Sequence, residues 1–186
     1  MVEILSNILT GFGLSVSAGL NAYIPLLIVA LMARFTDLIR LNAPYDTLTN
    51  GWVIGALAAL ALVEVVADKI PAVDTVYNLA QSVARPVAGA ILFAASTRVI
   101  TDIHPALALL CGLLVAGTVH AAKTVARPII TAVTAGVGDP AVSTAEDVVS
   151  GTVSLVSILT PLLALVFIVL GIWFLVTRLR RTEATF

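Results

Sequence analysis

Charge is what this sequence has least of. Asp, Glu, Lys and Arg make up 11% of its 186 residues, whereas soluble domains carry about 25%, because their surfaces must meet water with something polar. With 60% of the chain hydrophobic, that scarcity excludes an ordinary soluble globule. Aromatic residues are also scarce, at 6%, and the apolar stretches do not alternate, which excludes a transmembrane β-barrel with its aromatic girdles. The single cysteine, Cys111, has no partner for an intramolecular disulfide and lies in an apolar run, where it reads as a small hydrophobe. A net charge of −1 provides no basic surface, so no nucleic-acid partner is expected. The first residues carry Glu3 and no Lys or Arg, the wrong charge for a cleavable signal peptide, so the first helix is expected to stay in the mature protein. P-loop, GxGxxG, nucleophile-elbow, HExxH and metal-ligand spacings are all missing, so neither metal nor cofactor is expected.

What remains is a chain of Ala, Val, Leu and Ile with a mean hydropathy of +1.09. Continuous apolar runs predict transmembrane helices. The expected fold is all-α: one integral membrane domain over residues 1–186, a polytopic helical bundle with four to six membrane segments. The first run, 8–32, is interrupted by Asn21 and Pro25. A polar connection with Arg34, Asp37, Arg40 and Asp46 comes next, and the second run, 52–66, begins at Trp52, an interfacial anchor. Pro71 opens an amphipathic helix, with Val73, Val76, Tyr77 and Ala80 on one face and Asp74, Asn78, Gln81 and Ser82 on the other.

Two pairs of runs complete the chain, short 87–96 with long 105–122 and short 129–138 with long 148–176. Ten helical residues rise about 15 Å against a hydrocarbon core of about 30 Å, so both short runs read as half-helices or re-entrant segments, unless polar flanks extend them inside a protein-lined cavity. Ser143 to Glu146, "STAE", matches a capping box for the last helix, with Asp147 placed to favour its dipole. Arg178, Arg180 and Arg181 place the C-terminus in the cytoplasm, while the remaining Lys and Arg do not decide the number of crossings.

Two phrases align without a gap, "YNLAQSVARPVAGAI" and "VHAAKTVARPIITAV". Ser82 falls on Thr124, Arg85 on Arg127 and Pro86 on Pro128, which suggests internal repeats 71–122 and 123–176, inverted if both short runs turn back. Paired interruptions of this kind point to a transporter-like site. Proline also frees the carbonyl four residues before it. That residue is polar at Asn21–Pro25, Ser82–Pro86, Thr124–Pro128 and Ser157–Pro161, so each break is either repaired locally or opens onto a shared hydrated cavity.

The candidate binding residues are Asn21, Glu64, Asp68, Arg85, His120, Lys123 and Arg127. Glu64 and Asp68 share a helix face and provide either a proton or cation site or an interfacial acid pair with Lys69 or Arg85. Arg85, Lys123 and Arg127 either hold an anion, such as a lipid phosphate or a carboxylate, or snorkel to headgroups. His120 is a proton shuttle or a packing residue. Small residues at Ser15–Gly19, Ala18–Ala22 and Gly112–Ala116 predict close helix packing, within the chain or in a homo-oligomer.

The phrases "GLSVSAGLNAYIPLL", "EVVADKIPAVDTVYN", "ARPVAGAI" and "DPAVSTAEDVVSGTVSLVSILTPLLAL" cover nearly the whole chain. They resemble a family of small bacterial membrane proteins catalogued as domain of unknown function 4126. The resemblance implies a multi-pass helical protein of the bacterial inner membrane, and it carries over no catalytic residue. Three functions fit these residues. The first is a transporter, channel or lipid-handling protein with a polar site between broken helices and membrane lipids around it. The second is a non-catalytic structural or accessory subunit of a larger membrane complex. The third is a membrane enzyme acting on lipid phosphates, for which the arginines lack a nucleophile or general base beyond His120.

Overall fold

The computed structural model describes residues 2–69, 71–97 and 104–161, together with 163, 166, 169–171 and 173. Among the described residues the fold is all-α, with six long helices and no strand: α1 (Val2–Leu20), α2 (Tyr23–Phe35), α3 (Gly51–Ala67), α4 (Pro71–Thr97), α5 (Pro105–Thr134) and α6 (Asp139–Leu159). A short 3-10 helix, Tyr45–Thr49, precedes α3. Arg98, Arg178, Arg180 and Arg181, the end of the long run 148–176, and the side chains of 71–76 and Asn78 lie outside the described residues.

The starts and stops arise from local chemistry. Asn50 caps α3 by accepting from the Trp52 amide at 2.9 Å, and His104 Nδ1 accepts from the Ala106 amide ahead of Pro105. α5 ends where Ala135 and Gly136 take positive φ, and the Gly136 amide donates to the Thr131 carbonyl at 3.0 Å. The first apolar run is broken where expected. α1 stops at Leu20, and the Asn21 side chain accepts from the Tyr23 and Ile24 amides at 3.1 and 3.0 Å, opening α2. Pro25 therefore sits in the first turn of a new helix, where its missing donor costs nothing.

The two short runs do not stand alone. Run 87–96 is the C-terminal part of α4, and run 129–138 is reached by α5 through Thr134. Neither is a half-helix, because Pro86 and Pro128 sit inside continuous helices of 27 and 30 residues, about 40 and 45 Å long. The junction of the two expected repeats, at Ala122 and Lys123, falls inside α5. The capping box is also overturned. α6 already begins at Asp139 with Pro140 in its first turn, so Ser143 lies within the helix and Glu146 is released for other partners.

α4 runs antiparallel to α1, with Phe12 and Phe93 meeting edge to face at 5.0 Å and the Ser15 hydroxyl donating to the Gly89 carbonyl at 3.0 Å. α6 also runs antiparallel to α1. Thr10 meets Ser157, Ser17 meets Ser150 and Ser154, and Asn21 meets Asp147. Thr10 Oγ1 donates to the Ser157 carbonyl at 2.9 Å, which repairs the acceptor that Pro161 leaves free. The small-residue expectation holds within the chain. A Cβ added at Gly112 would run into the Gly89 carbonyl, and one at Gly19 would run into Val119 and the Ala116 carbonyl. These helices approach closely enough to pack backbone against backbone.

The packing is inverted relative to a soluble bundle. α5 buries Ala108, Gly112, Ala116, His120, Lys123 and Arg127 along one stripe. It exposes Leu107, Leu110, Leu114, Val125, Ile129 and Val133 on the other side. Among the described residues three helices are long and apolar enough to cross a membrane: 79–97 of α4, α5 and α6. α1, α2 and α3 are apolar but shorter.

Candidate functional site

All seven residues singled out from the sequence meet in one layer. It forms where α1 and α3 end and α2 begins, against the middle of α4 and α5 and the first half of α6. Glu64 is wholly buried on α3, and its carboxylate accepts from the Ala22 amide at 3.0 and 3.2 Å and from the Tyr23 amide at 3.3 Å. It therefore sits at the positive end of α2, where an anion is favoured. Lys123 reaches the opposite pole and donates to the Leu20 carbonyl at the end of α1 at 3.2 Å. The break between α1 and α2 is thus held by a carboxylate on one lip and an ammonium on the other.

Arg85 links these groups and is itself 0% exposed. Its Nε and Nη2 donate to Glu64 Oε1 at 3.2 and 3.0 Å, and Nη2 also donates to Asp68 Oδ2 at 3.2 Å. Its Nη1 lies 3.2 Å from His120 Nδ1. A guanidinium only donates, so Nδ1 is the acceptor here and cannot take a proton without losing this bond. Asp68 Oδ2 is shared: Lys123 Nζ lies 2.9 Å away and Arg127 Nη2 3.6 Å away. Glu146 Oε2 is shared in the same way, at 2.8 Å from Lys123 and 3.0 Å from Arg127. Beside them, Asn21 Nδ2 donates to Asp147 Oδ1 at 2.9 Å, and Lys69 pairs with Asp147 Oδ2 at 3.1 Å.

Four cations, Lys69, Arg85, Lys123 and Arg127, thus face four carboxylates, Glu64, Asp68, Glu146 and Asp147. The snorkelling alternative fails for three of these cations, since Arg85, Lys123 and Arg127 are all buried. The places an external anion would take beside them are filled by the chain's own carboxylates. Three members lie outside the seven, and the first, Lys69, reads from the sequence as a partner for Glu64 and Asp68 but pairs with Asp147. Glu146 reads as part of a helix cap and Asp147 as a dipole partner, although the Asp139-Pro140 pair already marks an earlier helix start. One acceptor stays unspent, because Asp68 Oδ1 is buried with no hydrogen-bond partner. No group of three or more His, Cys, Asp or Glu suited to a metal ion occurs among the described residues.

Fold and site together define an all-α protein with apolar helices, compatible with an integral membrane protein, built around a buried layer of paired charges. The chain belongs to the family described as Domain of unknown function (DUF4126), whose match covers residues 8–181. Neither a curated protein nor a solved structure matches it.

Proposed function

We propose that this is a small integral membrane carrier in which the buried charged layer is both gate and coupling site. The observation that carries the reading is the layer itself: eight paired charges gathered where a broken helix presents both of its ends. Replacing a buried ion pair by apolar residues is often neutral or stabilising, so stability alone gives no reason to keep eight charges. Ionisable groups within membrane helices are functional by default. The sharing of Asp68 Oδ2 and Glu146 Oε2 among several cations also supports exchange, because one cation can leave while another remains. Glu64 is the group for a coupling proton. Neutralising it would release Arg85 and loosen the hold on the first amides of α2. α2 and α3 pack on each other and touch α4 only lightly, so these two can part from the α4–α5 pair when the layer lets go. A released arginine then meets an anionic cargo such as a carboxylate or a lipid phosphate.

Single thiols test this without knowledge of the cargo. Ser17→Cys lies one helical turn before the break and Gln81→Cys one turn before Arg85, both at buried positions, each in a Cys111→Ala background. In sealed vesicles of one orientation, a membrane-impermeant thiol reagent is applied to either face at acidic and at neutral pH. A carrier admits the reagent to these sites from opposite faces and changes its access with pH. If neither thiol reacts from either face while both react after unfolding, the layer is static and the carrier reading is lost.

The equality of charge within the layer favours a second reading, a structural or accessory subunit of a larger membrane complex. Every cation is then occupied because the layer pins helices together. A static layer in the labelling experiment, together with a stoichiometric co-purifying membrane protein, would select it.

A further inference from the structure

A second polar site lies at the other end of the bundle. There a cleft of about 380 Å³ opens between the first turns of α1, the end of α4 and the connection after α2. Its lining includes apolar Leu14, Val29, Ala95 and Ile158. Its lining also includes Ser6, Asn7, Asp37 and Arg40. Among the described residues these four side chains make no hydrogen bond or ion pair. The contrast with the charged layer is physical: there every charged side chain is engaged by another, whereas here half-buried Ser6 and Asn7 and exposed Asp37 and Arg40 border an open space of ligand-binding size.

We propose that this cleft binds an amino-zwitterion, a molecule with one ammonium and one carboxylate or phosphate on a short carbon frame. Asp37 takes the ammonium, Arg40 takes the anionic oxygens, and Ser6 and Asn7 hydrogen-bond the polar frame. The apolar part rests on Leu14 and Ile158. Asp37 and Arg40 are three residues apart, so their Cα atoms are separated by at most about 10 Å, within reach of one small molecule. An ion of one sign alone would leave the opposite charge of the loop beside it without a partner. A dissolved amino acid and a phosphoethanolamine lipid headgroup share this chemistry. The inference does not depend on the charged layer opening, and its test in detergent says nothing for or against transport.

The test is titration calorimetry on the full chain in a maltoside detergent. The probes are leucine, O-phosphoethanolamine and dihexanoyl phosphatidylethanolamine, with isoamylamine and isocaproate as analogues of a single charge. At least one zwitterion binds saturably, and the single-charge analogues bind roughly tenfold or more weakly. Asp37→Asn and Arg40→Gln each weaken the zwitterion by a similar factor, while Asp46→Asn in the neighbouring 3-10 helix does not. Both cleft substitutions are at exposed loop positions, and circular dichroism confirms that the variants keep the fold. Binding of leucine or O-phosphoethanolamine marks a dissolved ligand, and binding of the short-chain lipid alone marks a headgroup. Failure of every zwitterion to bind, equal affinity for the single-charge analogues, or indifference to both substitutions overturns the proposal.

Discussion

Arg85 shows most clearly how one residue shapes this protein. It joins α4 to two carboxylates of the α3 end and to the imidazole of α5. Its removal would leave Glu64 and Asp68 buried short of a cation, and breaking one partner of a buried pair costs about 3–5 kcal/mol. Arg85→Ala is therefore expected to lower the thermal midpoint in detergent sharply. Pairing Arg85→Met with Glu64→Gln should restore much of the loss, because the glutamine oxygen still accepts from Ala22 and Tyr23 and no charge is stranded. A double variant no more stable than Arg85→Ala alone would show that the ion pair is not the source of the effect. The seven layer residues were legible as chemistry, since each is an ionisable or amide group beside an apolar run. Glu146 was not. A carboxylate three residues after a serine satisfies a cap motif on paper, and that motif outweighs the quieter Asp139-Pro140 start one turn earlier, where the helix begins.

Among the elements, the break between α1 and α2 and the close approach of α4 and α5 obey different physics. The break is local: Asn21 caps α2, and Pro25 is tolerated in a first turn. It was readable for that reason. The continuity of α4 and α5 was not, because a proline and a charge beside an apolar stretch look like an ending until neighbours cover them. Pro86 packs 3.7 Å from where a Cβ on Gly117 would stand, and Arg85 is neutralised from α3. The α4–α5 crossing yields a paired prediction. Gly112→Ala places a methyl against the Gly89 carbonyl and should cost about 1–3 kcal/mol. Gly55→Ala on α3 meets nothing within 4 Å and should be neutral or slightly stabilising. Thermal unfolding of the two variants side by side checks this, and equal midpoints would contradict the close crossing.

At the scale of the whole molecule, among the described residues, the long helices turn apolar side chains outward and hold eight paired charges within. Cys111 sits on the exposed face of α5 among leucines. In native membranes it should react with a permeant maleimide and resist a charged, impermeant thiol reagent, and rapid labelling by the impermeant reagent would place that face in water. The compatibility with a membrane was legible in composition alone, because 11% charge is too little to clothe a soluble surface, whatever the fold. The members of the charged layer were largely legible too, since ionisable residues are rare enough here to be named one by one. What composition and spacing could not contain was the pairing. Glu64 meets the start of α2, Lys123 meets the end of α1, and Glu146 answers two cations from α5 only because three helix termini converge at one depth. Periodicity records which face of a helix a side chain occupies. It is silent on which faces of distant helices meet, and in this protein that meeting sets the buried charges against their partners.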